Sequence, residues 1–536
     1  EENKITTGIN IDEDTKRYYP NNTLAAQIIG FCGSDNQGLD GIEAKYEKEL
    51  AGSKGTIKRH TDAKGTEIGK EGEKYISAID GNNLVLSIDY NIQSIVEKYL
   101  KEACIDNKCT DGGNIIAMNP KTGDILAMAT YPTYNLNDPY SAYTEDLEGI
   151  WPNLEQGEKT KELQAVWRNR AIADTYEPGS TFKILSTYAP AIDTMGYTLS
   201  TTIVDEPFSY SNGRPVENWN HTYKGTVTVK QAIAQSMNVC AVKTLTAITP
   251  QLGYDYLLNF GISTLVDNRV EKNGSVSSDI HQALALGGIT DGVTNLEMTA
   301  AYASIANTGK YIRPVFYSQV IDSNGCVLLD NTAPKAKTIL KDSTAYLLTQ
   351  AMISVVKEGT GTPCQLEGGM PSAGKTGTTS SAYDLWFCGY TPYLTASIWT
   401  GYDENTALTG SQNYHEKLWA KIMNQIDTVK KYKPKDFATG QSVKAYNICN
   451  ASGKLAIKGV CPKTHKEYFV KGSQPDKCSW HSAYINSDDN NYNSGNKGST
   501  SKASDGSGET SSSKEDATIS TRNQTTKDSV KSKKTP

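Results

Sequence analysis

The segment Glu177-Pro178-Gly179-Ser180-Thr181-Phe182-Lys183 holds the residue types and spacing that point most directly to chemistry. Pro178-Gly179 makes a turn, and the run after it, TFKILSTYAPAI, is apolar nearly all round, as in a helix buried at a domain centre. Ser180 then sits at that helix's N-terminus, where free N–H groups and the dipole favour negative charge on an attacking oxygen. Lys183 follows three residues on, about 60° round the helix, so its amine can reach Ser180. A lysine serving as base must be neutral. Lowering its pKa from about 10.4 to near 7 costs roughly 4–5 kcal/mol, which burial and a second nearby cation can supply.

The Ser-x-x-Lys spacing recurs at Ser354–Lys357, Ser499–Lys502 and Ser511–Lys514, so its companions decide. Ser236-Met237-Asn238 follows at the end of a helical pattern, and Lys375-Thr376-Gly377-Thr378 follows later. Ser411-Gln412-Asn413 and Ser494-Gly495-Asn496 mimic the first, and Lys121-Thr122-Gly123 mimics the second from within a hairpin turn. Only Ser180/Lys183, Ser236/Asn238 and Lys375/Thr376/Gly377 lie in order within the packed part, each in a fitting context. Gly369 to Thr376 also matches the phosphate-binding loop G-x-x-x-x-G-K-[ST]. That loop needs a hydrophobic strand before it and a helix after it. Here GTPCQLEGG precedes and β-rich sequence follows, with no apolar strand ending in Asp to hold magnesium, so the match reads as coincidence.

The elements that must position these residues belong to an α+β domain. LVLSI (84–88) reads as a buried strand, Asp89 as the cap of a helix bearing Ile92, Ile95, Val96, Tyr99 and Leu100, and NIIAMNPKTGDILAMA as a β-hairpin. Helical patterns follow in QAIAQSMNVCAVKTL, EMTAAYASIANTG and STAYLLTQAMISVVKEG, then strands around WFCGY and LTASIWTGY, and an amphipathic helix in HEKLWAKIMNQIDTVKK. Strands at both ends with helices between imply a sheet built from distant pieces. Upstream, GLDGIEAKYEKELAG reads as one exposed helix with Ile42, Tyr46 and Leu50 as its stripe.

The 536 residues divide into an amino-terminal region (1–83), the packed domain (84–432), a cysteine-containing extension (433–485) and a Ser/Thr/Asn/Lys-rich tail (486–536) too polar to order itself. The net charge of −6 argues against nucleic acid as a partner. No run of about 18 apolar residues would span a membrane. Because the chain opens on Glu1, it is expected to be a mature or truncated piece whose signal or anchor is missing. Ten cysteines over this length make no disulfide scaffold.

These motifs together resemble those of class B penicillin-binding proteins, the monofunctional transpeptidases of peptidoglycan synthesis, akin to division and sporulation enzymes of Gram-positive anaerobes. The likeness covers roughly residues 20–430, through GLDGIEAKYEKELAG, DGNNLVLSIDYNIQ, NPKTGDILAMATYPTYN, EPGSTFK, SMN, GITDGVTNLEMTAAYASIANTG, AGKTGTT and WFCGYTP with ASIWTGYDEN. It implies a penicillin-binding transpeptidase fold, an antiparallel sheet flanked by helices, with a smaller amino-terminal pedestal. It further implies that Ser180 attacks the penultimate D-Ala carbonyl of a stem peptide, Lys183 takes its proton, Ser236 relays a proton to the leaving amine, and Asn238 positions Lys183 and substrate. Lys375 and Thr376 would face the substrate carboxylate, with Lys375 the second cation beside Lys183. Gly377 would permit close approach, and the N–H groups of Ser180 and Thr378 would form the oxyanion hole. The implied partners are stem peptides on lipid-linked glycan strands, β-lactam antibiotics and a glycosyltransferase, at the extracytoplasmic face of the membrane. No cofactor is needed for acyl transfer. A hydrolase of the carboxypeptidase or β-lactamase type, and a β-lactam sensor, are the competing functions.

One departure from the family pattern is Cys388, where an apolar residue is usual. Asp384 and Cys388 share a strand face, and Cys240 sits two residues past Asn238. With His221 they would suit tetrahedral zinc beside the active site, against the alternative that both thiols are small buried hydrophobes. Cys449, Cys461, Cys478 and His481 form a separate cluster in the extension, read as a disulfide with a spare thiol in preference to a metal knuckle.

Overall fold

Alternating and fully apolar runs build the central sheet. In the computed structural model, which describes residues 15–58, 74–109, 112–379, 382–402, 406–408 and 410–481, the NIIAM and ILAMA runs become β1 (Gly113–Met118) and β2 (Ile125–Tyr131), paired antiparallel. Contacts divide the chain into Glu1–His481 and Ser482–Pro536. The second unit, and with it the tail expected to be disordered, lies outside the described residues. The β1–β2 turn holds Lys121-Thr122-Gly123 as read from sequence. Gly123 has φ +81°, and a Cβ there would meet the Arg313 carbonyl at 2.8 Å.

Three further strands, β3 (Ala373–Thr378), β4 (Asp384–Tyr390) and β5 (Thr395–Gly401), complete an antiparallel sheet of order β3-β4-β5-β1-β2. The fold is α+β, with β3 at one edge. Six helices position the rest: α1 (Tyr90–Asp106), α2 (Val229–Ala234), α3 (Asn238–Ile248), α4 (Asn295–Ala306), α5 (Asp342–Glu358) and α6 (Tyr414–Lys430). Strand alternation sorts the two cores. Ile115, Ala117, Phe387 and Ile398 pack with Ile92 and Val96 of α1 and Leu418, Trp419 and Ile422 of α6. Trp386, Cys388, Tyr390 and Trp399 enter the larger core, with α3, α4, α5 and the helical run Lys183–Asp193. Gly369 to Thr376 runs from short turns into strand β3, the reverse of what a phosphate-binding loop requires.

Three elements differ from expectation. LVLSI forms only a short strand, Asn83–Leu86, at the edge of a second, three-stranded sheet, where its side chains are exposed or half-buried. The GLDGIEAKYEKELAG helix breaks at Tyr46, whose ring packs edge-on against Tyr317 at 5.3 Å, leaving Gly41–Lys45 and Glu47–Leu50. QAIAQSMNVCAVKTL is also split, between α2 and α3. Asp89 does cap α1, accepting from the N–H groups of Asn91 and Ile92.

Asn295 joins α4 to the sheet. Its buried amide donates to Asn114 Oδ1 at 2.6 Å and to the carbonyls of Asn114 and Ser397, both at 3.2 Å. Asn295→Leu therefore leaves Asn114 Oδ1 without that donor. It should lower unfolding stability by about 1–3 kcal/mol, read as a lower urea midpoint; a change within about 0.5 kcal/mol, the range of a neutral surface substitution, would contradict this.

Candidate active site

Three segments far apart in sequence meet at the edge of the sheet. The first is the Ser180 turn. Gly179 (φ +53°) lies so close to the end of β3 that a Cβ would sit 3.1 Å from the Thr378 carbonyl oxygen. Ser180 occupies a single tight turn, Gly179–Thr181, and Lys183 opens a wide π-helical stretch, Lys183–Tyr188, so the segment is not the regular α-helix its pattern suggests. Such stretches recur at functional sites. Thr181 Oγ1 donates to the Pro178 carbonyl (2.6 Å), Trp386 Nε1 to the Glu177 carbonyl (3.0 Å) and the Tyr302 hydroxyl to the Thr181 carbonyl (2.9 Å). The Tyr176 ring stacks on Trp399. The turn is thus held by α4 and by two strands, with Ser180 half-buried at the surface and Lys183 fully buried beneath it.

The second segment is the break between α2 and α3, where Ser236 adopts φ +52°. Asn218 Oδ1 accepts from the first N–H groups of α3, those of Asn238 (2.9 Å) and Val239 (3.3 Å), while its amide donates to Asp205 Oδ1 (2.9 Å). Asn238 Nδ2 donates to the Glu217 carbonyl at 2.8 Å, which turns Oδ1 toward Lys183. The third segment is β3 itself. Lys375 and Gly377 share one of its faces, and at Gly377 a Cβ would meet the Pro178 carbonyl at 2.8 Å and Thr181 Cγ2 at 2.9 Å.

Ser236 Oγ bridges the two amines. Lys183 Nζ lies 3.2 Å from it, with further bonds to the Ser236 carbonyl (2.7 Å) and Asn238 Oδ1 (2.5 Å); Lys375 Nζ lies 2.9 Å from the same hydroxyl. Lys375 also donates to the Thr376 carbonyl (2.9 Å), and Thr376 Oγ1 pairs with Thr360 Oγ1 at 2.8 Å. Burial, reinforced by the Lys375 charge, holds the Lys183 amine well below its ordinary range. Burial also lowers Lys375 to about 7, against the opposing pull of Glu416 and Cys388. Glu416, on the buried face of α6, is pushed up to about 7 by burial, with Lys375 holding it down.

The structure therefore joins Lys183, Ser236, Asn238 and Lys375 in one hydrogen-bonded group, with Ser180 on the turn that leads to Lys183 and abuts β3, the strand of Thr376, Gly377 and exposed Thr378. It does not gather Cys240, Cys388, Asp384 and His221. His221 is 77% exposed and paired with Glu217 at 3.0 Å. Asp384 is committed to Trp399 Nε1 (2.9 Å) and the Thr379 hydroxyl (3.0 Å). It lies four residues along β4 from Cys388, about 13 Å at strand rise. Cys240 and Cys388 are core thiols, each pushed up to about 12 by burial. The expected zinc beside the active site is corrected accordingly. Among the described residues, the Cys/His cluster whose ligand atoms converge is Cys449, Cys461, Cys478 and His481. Sequence reasoning missed Asn218, Asp205, Thr360 and Glu416. Only Glu416 left a signal, as a charge on the apolar face of an amphipathic helix beside Leu418 and Trp419.

Comparison with known proteins agrees with this geometry. The penicillin binding protein transpeptidase domain model matches residues 113–426, the penicillin-binding protein dimerisation domain residues 1–86, and the penicillin-binding protein 1A C-terminal domain residues 441–481. The chain belongs to the penicillin-binding proteins, in the class B arrangement of a dimerisation region ahead of a transpeptidase domain. Stage V sporulation protein D of Bacillus subtilis (strain 168) is 31% identical over 386 residues, covering 70% of this chain and 56% of that protein. Penicillin-binding protein 1A/1B of the same organism is 31% identical over 335 residues, 58% of this chain and 35% of that protein. The chain thus spans between a third and a little over half the length of these relatives. The D,D-transpeptidase domain of a peptidoglycan glycosyltransferase from Eggerthella lenta shares the fold, with a TM-score of 0.57 at 23% identity over 77% of this chain and 93% of that one. Among the described residues, no helix is long and apolar enough to cross a membrane.

Gly377 offers a steric test. Gly377→Ala should cut the rate of labelling by a fluorescent penicillin roughly tenfold or more, equivalent to ~1.4 kcal/mol or above, because β3 must retreat from Pro178 and carry Lys375 with it. Unchanged labelling would show that the approach of strand and turn is not needed.

Proposed function

We propose that this chain is a serine D,D-transpeptidase that cross-links peptidoglycan stem peptides and is acylated by β-lactams. One observation carries the reading: a single hydroxyl, Ser236 Oγ, lies between two buried lysine amines, one of them three residues along the chain from half-buried Ser180. In this reading Ser180 Oγ forms a bond to the penultimate D-Ala carbonyl carbon as its proton passes to neutral Lys183. The Ser180 and Thr378 N–H groups receive the negative charge on the carbonyl oxygen, a contribution of about 10²–10³ in rate per donor. The carbon–nitrogen bond to the terminal D-Ala then breaks. The leaving amine takes a proton from Ser236, whose oxygen is resupplied by the lysines on either side. An amine of a second stem peptide attacks the ester, its proton returns along the same path, and Ser180 is regenerated as the cross-link forms.

Asn238 fixes the Lys183 amine, and Lys375, with the Thr376 and Thr378 hydroxyls, faces the substrate's terminal carboxylate. Gly377 keeps β3 against the turn. The same geometry would trap a β-lactam, whose ring nitrogen remains tethered after acylation. The substrate's setting implies work at the extracytoplasmic face of a membrane, on glycan strands supplied by a glycosyltransferase partner. Residues 1–83 would serve as pedestal and 84–432 as the transpeptidase domain, with 433–485 as an extension.

Labelled penicillin should mark the protein at Ser180 as a penicilloyl adduct outlasting minutes, and Ser180→Ala should abolish it. Labelling that survives the substitution would overturn the assignment, and release of the adduct within seconds would favour a hydrolase. The pH profile adds a second check. Lysines with lowered pKa lose their charge as pH rises: acylation gains as Lys183 deprotonates, then falls as Lys375 passes through about 7 and the substrate carboxylate loses its cation. The second-order acylation rate should therefore decline on the alkaline side with an apparent pKa near 7. Lys375→Arg should move that limb upward, since a guanidinium stays protonated. A flat profile across pH 6–9, a range of about 1–2 units either side of that value, would refute the role given to Lys375.

A further inference from the structure

We propose that Cys449, Cys461, Cys478 and His481 form a structural zinc site that holds the carboxy-terminal extension together. The sulfurs of the three cysteines and a ring nitrogen of the histidine all lie within 4.8 Å of one another. His481 Nδ1 is 3.5 Å from the Cys449 sulfur and 3.3 Å from the Cys478 sulfur. A tetrahedral zinc with bonds of about 2.3 Å to sulfur and about 2.0–2.1 Å to nitrogen places those atoms about 3.5 Å apart. All three cysteines are free thiols. A disulfide between any two would leave the third sulfur and the imidazole without a partner suited to them, whereas one metal ion uses all four. Four protein ligands leave no open position, so the ion would be structural.

The surroundings match a thiolate site. The Ile457 backbone N–H donates to Cys461 Sγ at 3.3 Å, and the Ser452 hydroxyl donates to Cys478 Sγ at 3.1 Å. Such donors outside the ligand set orient sulfur and stabilise its negative charge. Zn²⁺ with three thiolates carries a net charge of −1, and Lys454, Lys458, Lys463 and Lys477 flank the ligands in sequence.

The ligands come from separate pieces that share little core. Cys449 ends β6 (Val443–Cys449), which pairs with β7 (Thr464–Val470); Cys461 closes the turn after Ile457, and Leu455 bridges both to Ile448 and to Lys477. A segment of this size needs a staple. What the staple secures is a brace on the catalytic domain. Glu467 of β7, almost wholly buried, pairs with Lys230 of α2 at 3.0 Å, and Tyr468 packs edge-on against Tyr346 of α5 at 5.4 Å. The α2 helix ends at the break that carries Ser236.

The full chain, purified without chelator, should contain one zinc by elemental mass spectrometry. Alkylation followed by peptide mapping should modify exposed Cys326 at once, but Cys449, Cys461 and Cys478 only after the metal is stripped. Cobalt substitution should give a strong sulfur-to-metal charge-transfer band. Cys461→Ser and Cys478→Ser should each lose the zinc while Cys326→Ser keeps it, with labelling by penicillin as the check that each variant folds. The alkylation pattern of the unmodified chain decides the matter if a variant does not fold. A disulfide among the three cysteines, their alkylation as fast as Cys326, or zinc retained in Cys461→Ser and Cys478→Ser would each overturn the proposal.

Discussion

Two amines converge on one hydroxyl in a place water does not reach, and that arrangement governs the rest of the site. Lys183 and Lys375 lie 3.2 and 2.9 Å from Ser236 Oγ, so their nitrogens are at most about 6 Å apart. At an effective dielectric near 20, two protonated amines at that distance repel by about 3 kcal/mol, before any cost of burial. Both cannot comfortably hold a proton. The Lys183 amine, bonded to Asn238, is held well below its ordinary range, and in the proposed reaction its lone pair serves Ser180. The charge of Glu416 pulls the Lys375 pKa upward against burial.

Keeping the amines apart from solvent and the serine open to it demands a scaffold drawn from distant sequence. The sheet supplies it by placing β3 at an edge, where one side pairs with β4 and the Lys375–Thr378 stretch borders the Ser180 turn. Trp386 and Trp399, on neighbouring strands, reach back to fix the backbone and ring on the approach to Ser180. The Asp205–Asn218 pair does the same for α3, tying its first turn to a loop and aiming Asn238 inward. Lys183, Asn238 and Lys375 are each held by a residue from another element, so the geometry belongs to the tertiary fold rather than to any local motif.

This explains which parts could be read from the chain itself. The convergence of Lys183, Ser236, Asn238 and Lys375 was legible because the proposed chemistry restricts both residue type and spacing, and the β1–β2 hairpin because its turn residues carry a backbone requirement. Asn218 was not, since an asparagine that caps a helix 20 residues later leaves no periodic trace. The split of QAIAQSMNVCAVKTL was hidden because the apolar spacing runs on through the break. The zinc expected at Cys240 and Cys388 failed on strand geometry: sharing a face with Asp384 is not proximity when four residues intervene. The convergence of Cys449, Cys461, Cys478 and His481 was hidden for the converse reason. Their irregular spacing looks unlike a metal motif until the hairpin and its bridges bring them together.

The backbone at Ser236 sets evolution a dilemma. A left-handed conformation at φ +52° disfavours any side chain with a Cβ, by of order 1–2 kcal/mol. Glycine would relax the main chain at once but would remove the hydroxyl that joins Lys183 to Lys375. The side chain is thus kept against the preference of its own backbone, and stability and the proposed chemistry pull this position in opposite directions.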